Sequence, residues 1–138
     1  MELYECVNFL LTKAQLTVFR YFKSQLAEFD VTPVQYGILK CLWREDGQMP
    51  VQIAACLGLD GSTITGILDR MEIKGLLKRT PDPNDRRALR VIITEQGSKL
   101  QEPVEKAIIS ANQKVLQVLA PEDKEKLFGF LRDIIGES

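Results

Sequence analysis

The 138-residue sequence contains no histidine. That excludes Ser-His-Asp and Cys-His nucleophilic sites, and it removes the commonest general acid–base side chain and metal ligand. Cysteine is also scarce. Cys6, Cys41 and Cys56 are the only three, so they cannot all pair within one chain, and their wide spacing matches no zinc pattern. They are expected to be reduced thiols packed as small hydrophobes. Neither GxxxxGK[ST] nor GxGxxG occurs, so no phosphate-cradling loop is evident. The adjacent carboxylates Glu122 and Asp123 fall where a helix start favours negative charge. No apolar run approaches the roughly 20 residues of a membrane span. The start, Met1-Glu2-Leu3-Tyr4-Glu5, carries acid where a signal peptide carries base. These absences lead us to expect a cytoplasmic protein that is not an enzyme, needs no cofactor or metal and does not engage membranes.

What is present suits one domain with a core, since 45% of the residues are apolar. Net charge is −1, which argues against indiscriminate binding to nucleic acid. Its distribution is uneven. Between Arg70 and Arg90 seven basic residues face three acidic ones, a local +4 on a remainder of −5. A basic patch on an acidic body is the electrostatic footprint of a phosphate-binding surface.

Apolar residues Leu3, Val7, Leu10, Leu11, Ala14, Val18, Phe22 and Leu26 recur at helical spacing and predict one helix over residues 3–27. Thr32-Pro33-Val34-Gln35 is a start signal with a capping box and Pro at the first helical position. The helix it starts is expected to bury Tyr36, Leu39, Leu42 and Trp43 and to end near Asp46-Gly47. A short helix over 51–57 ends at Gly58, and Asp60 caps another that stops at Gly75. Strands are expected over 76–80 and 88–93, joined by the turn-rich segment 81–85. Thr94 then caps a long helix, and Pro121 starts the last one. The predicted order is α-α-α-α-β-β-α-α: a mainly α (α+β) chain built as a winged helix-turn-helix with long flanking helices.

Two short helices joined by a three-residue turn are a DNA-reading unit. Ala54 permits close helix approach, Gly58 suits the turn, and Ile64 and Ile67 turn inward. Ser62, Gly66 and Asp69 then point outward, flanked by Thr63, Thr65 and Arg70. Small hydroxyl residues beside a glycine allow close approach to a groove, and the helix N-terminus offers N–H groups to a phosphate. Asp69 repels phosphate unless a nearby arginine pairs with it. Arg86 and Arg87 at the hairpin tip reach toward a minor groove, and Asp85 is placed to orient Arg87 by a bidentate contact.

The runs Gly75-Leu76-Leu77-Lys78-Arg79, Asp82-Pro83-Asn84-Asp85-Arg86-Arg87 and Ile93-Thr94-Glu95-Gln96-Gly97 resemble the MarR (multiple antibiotic resistance) family of transcription regulators. The resemblance in element order spans nearly the whole chain. It implies a homodimer on a pseudo-palindromic operator in double-stranded DNA, acting as a repressor. Residues 32–94 would form the DNA-binding core, and residues 1–29 and 95–138 would supply interlocking dimerisation helices. By the same resemblance Arg87 enters the minor groove with Asp85 orienting it, and residues 62–70 read the major groove. It also implies release by a small, often phenolic or otherwise aromatic, effector, for which Phe22, Tyr36 and Trp43 are candidate pocket residues, although aromatics at this spacing also suit a core.

Three alternatives follow from the same sequence. Residues 59–65 and 70–72 are similar to the organic-hydroperoxide-sensing branch of that family, with Cys6 as the redox candidate in the first helix. However, that branch's cysteine aligns near Asn8, about 200° around the helix, and no activating base is evident beside Cys6. The winged helix could instead dock an acidic protein partner. A thiol-dependent enzyme using Cys6 is the third.

Overall fold

The computed structural model describes residues 1–137. A 3-10 turn, Leu3–Glu5, leads into α1 (Val7–Leu26), and a second turn, Ala27–Phe29, ends it. The helix expected over 3–27 is therefore interrupted at Cys6, whose backbone is extended at φ −85 and ψ 114. The Glu2 N–H donates to Glu5 Oε2 at 3.0 Å, closing the first turn separately.

The start signal at Thr32 is realised in full. The Gln35 N–H donates to Thr32 Oγ1 and the Thr32 N–H donates to Gln35 Oε1, each at 3.2 Å, opening α2 (Pro33–Arg44). This helix buries Ile38, Leu39, Cys41 and Leu42. Tyr36 and Trp43 are only half-buried, because both lie at the edge of the buried stripe.

Next come α3 (Pro50–Leu57) and α4 (Gly61–Ile73), whose axes turn by 110°. That angle is within the range of a helix-turn-helix. Gly58 sits at φ 70, the left-handed conformation that ends α3. Asp60 Oδ1 accepts the Thr63 N–H at 2.7 Å and caps α4. Ile53 and Ala54 from α3 and Ile64, Ile67, Leu68 and Met71 from α4 are buried between the helices and their neighbours. Among the described residues, no single helix is long and apolar enough to cross a membrane.

Strands β1 (Leu77–Pro81) and β2 (Leu89–Ile93) pair antiparallel, with Leu77 opposite Ile93 and Pro81 opposite Leu89. On its other edge β2 meets the loop before α3. The Val91 N–H donates to the Gln48 carbonyl at 2.8 Å, and the Gly47 N–H donates to the Val91 carbonyl at 3.0 Å. This third short partner carries no strand pattern of its own.

Thr94 caps α5 (Glu95–Lys99), which stops at Leu100 before α6 (Gln101–Leu116) begins. A single long helix was expected here. Pro103 has no N–H for the Lys99 carbonyl, and its ring crowds that carbonyl, so the break falls one turn before it. Finally α7 (Pro121–Ile135) ends at Gly136.

Gly97 marks the tightest junction. A Cβ there would stand 2.2 Å from the Leu76 carbonyl oxygen. Around it, Thr94 Oγ1 accepts the Gly97 N–H at 3.1 Å while its hydroxyl donates to the Gly75 carbonyl at 2.7 Å. Trp43 Nε1 donates to the Gly97 carbonyl at 3.1 Å. The Ile-Thr-x-x-Gly run thus locks α2, the β1 entry and α5 together. Lys40 on α2 also pairs with Glu105 on α6.

Candidate nucleic-acid interface

The outer face of α4 carries Ser62, Thr63 and Thr65, all exposed. Their hydrogen atoms are partly engaged within the chain. The Ser62 hydroxyl donates to Asp60 Oδ1 at 2.8 Å, and the Thr65 hydroxyl donates back to the Gly61 carbonyl at 2.9 Å. A hydroxyl keeps acceptor lone pairs after donating. In this arrangement these two face outward as acceptors suited to amino groups on base edges. The Thr63 N–H and the Ser62 hydroxyl also hold the Asp60 carboxyl below the usual carboxylate range. The carboxylate therefore occupies the end of α4, where sequence reasoning placed free N–H groups for a phosphate. Its charge makes that end a poor phosphate site, so recognition falls to the side chains beyond it.

Gly66 leaves a low saddle on this face. A Cβ at Gly66 would lie 3.8 Å from Arg70 Nη1, so the Arg70 side chain folds back along it. The difficulty with Asp69 is resolved from an unexpected quarter. Arg79 on β1 pairs with Asp69 at 2.5 Å and with Glu72 at 3.1 Å. Both acids of α4's outer face are thereby neutralised, and the first strand is fastened to the helix.

The hairpin is braced at its base. Asp82 is buried, and its carboxylate accepts the Asn84 N–H at 2.7 Å and Arg90 Nε at 2.6 Å. Those two contacts hold the Asp82 carboxyl below its ordinary range. Arg90 Nη1 also donates to the Gly47 carbonyl at 3.1 Å. Asp82 and Arg90 were singled out only as parts of a charged stretch; the structure makes them the wing's internal brace. A carboxylate and an arginine eight residues apart across a turn were the available signal.

The tip is different. Arg86 and Arg87 are exposed, with the Arg87 side chain 94% accessible. Asp85 meets Arg87 through Nε at 3.5 Å and accepts the Arg87 N–H at 3.0 Å. The expected bidentate fork is thus replaced by one guanidinium contact and one backbone contact. The backbone bond shapes the turn, and the guanidinium stays exposed to solvent.

The basic patch narrows accordingly. Lys74 donates to the Asp30 carbonyl at 2.7 Å and to Gln35 Oε1 at 2.9 Å, and Arg79 and Arg90 are paired as described. Arg70, Lys78 and Arg86 make no ion pair among the described residues, and with Arg87 they are the outward cations of this region.

Of the aromatic candidates, Tyr36 and Trp43 lie with ring centroids 6.3 Å apart and pack against the core. Phe22 is half-buried on α1. None of these three aromatics lines the clefts at Cys41 and Cys56, beside Tyr4 and Phe9, or between α3 and α4. Cys6 is half-buried at the break before α1, not within that helix as expected.

A helix pair crossing at 110°, an outward helix of small polar residues and a braced hairpin with arginines at its tip define a winged helix-turn-helix DNA-binding transcription regulator. The family model described as MarR matches residues 31–89. The chain is 31% identical over 128 residues to the transcriptional regulator PecS of Dickeya dadantii, covering 91% of this chain and 73% of PecS. It is 31% identical over 102 residues to an organic hydroperoxide resistance transcriptional regulator of Bacillus subtilis, covering 74% and 69%. Its fold matches that of the transcriptional repressor CouR bound to a 23-mer DNA duplex, with TM-score 0.91, 29% identity and coverage of 97% and 95%. It also matches CouR from Rhodococcus jostii RHA1 bound to p-coumaroyl-CoA, with TM-score 0.83, 26% identity and coverage of 97% and 94%. The chain belongs to the MarR family of transcription regulators.

Proposed function

We propose that two copies of this chain bind a pseudo-palindromic operator and repress transcription until a small effector releases them. In each copy α4 lies in the major groove and presents Ser62, Thr63, Thr65, Gly66 and Arg70 to base edges and phosphates. The wing reaches the neighbouring minor groove with Arg86 and Arg87, and Asp85 shapes the turn that carries Arg87. Two-fold symmetry then spaces the half-sites about 10 bp apart. In this reading residues 32–94 serve DNA and residues 1–29 and 95–138 serve dimerisation. The protein acts in the cytoplasm and has no enzymatic activity.

The observation that carries this reading is the contrast within the wing. Asp82 and Arg90 are joined at 2.6 Å inside its base, while the Arg87 side chain at its tip is 94% accessible. A braced support with exposed cations at its end suits insertion into a groove of negative potential. The effector class we favour is aromatic, a choice supported by the structure of CouR bound to p-coumaroyl-CoA, with Phe22 and Tyr36 near its site and Trp43 holding α2 to α5 beside it.

Selection of genomic fragments on the purified protein, followed by footprinting, tests the proposal. A protected palindrome that is lost on adding an aromatic effector is the expected result. Failure to retain any fragment at low salt, from a folded dimer, overturns it and leaves docking to an acidic protein partner as the better account of the basic wing.

A further inference from the structure

Cys41 on α2 and Cys56 on α3 line one cleft of about 240 Å³ with Arg44, Glu45 and Gln48. Cys41 is buried, whereas Cys56 is exposed. Both residues line this one cleft, which sets their side chains beside each other, and burial, followed by the neighbouring Cys56 thiol, pushes the Cys41 thiol up to about 11. The cleft wall is fastened by Gln48, whose Nε2 donates to the Cys41 and Glu45 carbonyls at 2.8 Å each. Neither cysteine belongs to the proposed DNA face, and fourteen residues of sequence lie between them.

We infer that Cys41 and Cys56 form a redox-active dithiol that closes to an intramolecular disulfide by exchange with small-molecule disulfides. The geometry sets the order of events. Cys56 is the thiol a solute can reach, so its thiolate attacks one sulfur of RSSR. The RS–SR bond breaks, a Cys56–S–S–R bond forms, and RS⁻ leaves to take a proton from water. Cys41 then attacks the Cys56 sulfur of the mixed disulfide. Its proton passes to the departing RS⁻, which leaves as RSH, and the Cys41–Cys56 bond forms. Two protein thiols are oxidised, and one RSSR is reduced to two RSH.

A buried thiol with a raised pKa is a poor nucleophile toward solutes. Cys41 is suited instead to resolve an adduct formed beside it. The bond needs a sulfur–sulfur distance of about 2.05 Å, shorter than any thiol–thiol contact, so the two side chains must draw together, and Cys56 sits on the helix that immediately precedes the turn into α4.

The test uses the folded full-length chain carrying Cys6→Ser, which leaves only these two thiols. It is treated with oxidised glutathione, quenched by alkylation and mapped by mass spectrometry without reduction. The expected product is a Cys41–Cys56 cross-link preceded by a transient glutathione adduct on Cys56. Adding Cys41→Ala makes that adduct accumulate, and Cys56→Ser leaves position 41 unmodified. Circular dichroism checks that each variant is folded, and the order of products in the Cys6→Ser chain stands alone if Cys41→Ala does not fold. A persistent Cys56 adduct in a chain that retains Cys41, a chain-to-chain bond through Cys56, or no reaction at either thiol overturns the inference. Each readout is chemical, so it succeeds or fails independently of DNA binding.

Discussion

At the scale of single residues, the wing separates two kinds of arginine. Arg90 serves the fold through Asp82, while Arg87 serves the surface. Arg87→Ala is expected to weaken operator binding by about 1–3 kcal/mol while leaving the dimer folded; a gel-shift titration at physiological salt reads it, and unchanged affinity would rule out the wing contact. Asp82→Asn acts the other way, loosening the hairpin itself. The folded-state pKa of Asp82 is depressed by the Asn84 N–H and by Arg90. Its stabilisation is therefore present above the unfolded carboxylate range and is lost as pH falls through the lower folded value. Thermal unfolding of the parent and Asp82→Asn across pH should show the parent ahead at neutral pH and the two converging below about pH 4. A constant gap down to strong acid would contradict the brace.

The elements are held by a few exacting positions. Gly97→Ala forces a Cβ to within 2.2 Å of a backbone oxygen, and no side-chain rotation relieves that contact. A loss of about 3 kcal/mol or more is expected. Gly58→Ala meets nothing within 4 Å and suffers only the left-handed backbone at φ 70, about 1–2 kcal/mol. Chemical denaturation of the two variants should rank them in that order. The capping box at Thr32, the Gly58 turn and both strands were legible in the sequence because capping and turn signals depend on neighbours within four residues. The interruptions at Cys6 and Leu100 were harder to see, since apolar periodicity continues through both. The pairing of Gln48 with Val91 left no local trace, because Asp46-Gly47-Gln48 carries no strand pattern and acquires its role only from the edge of β2.

For the whole molecule, the exposed apolar side chains are the plainest unfinished feature. Val7, Leu10 and Leu16 on α1 and Phe130, Ile134 and Ile135 on α7 are all exposed, and α7 buries none of its residues. One chain leaves that surface to water, and a second copy would cover it. Analytical ultracentrifugation should therefore show a dimer, and Phe130→Glu with Ile134→Glu should shift it to monomers with weakened operator binding. A parent that sediments as a monomer at micromolar concentration would refute the arrangement. Affinity should also fall steeply with salt despite the net charge of −1, by roughly a thousandfold between about 50 and 200 mM, if both copies place their outward cations on phosphates. A flat response would remove the electrostatic part of the proposal.

The sequence by itself determined the helix pair, the wing and the order of elements apart from the breaks at Cys6 and Leu100, because capping, turn chemistry and apolar spacing act over a few residues. It also located the surplus of positive charge between Arg70 and Arg90. Only the tertiary structure decided which of those charges are available. Asp69 and Glu72 find Arg79, Asp82 finds Arg90, and Asp30 and Gln35 find Lys74, across separations that periodicity does not encode. Ion pairing is short-ranged in space and indifferent to distance along the chain, so a count of charges gives the patch, and the fold alone says which arginines still face outward.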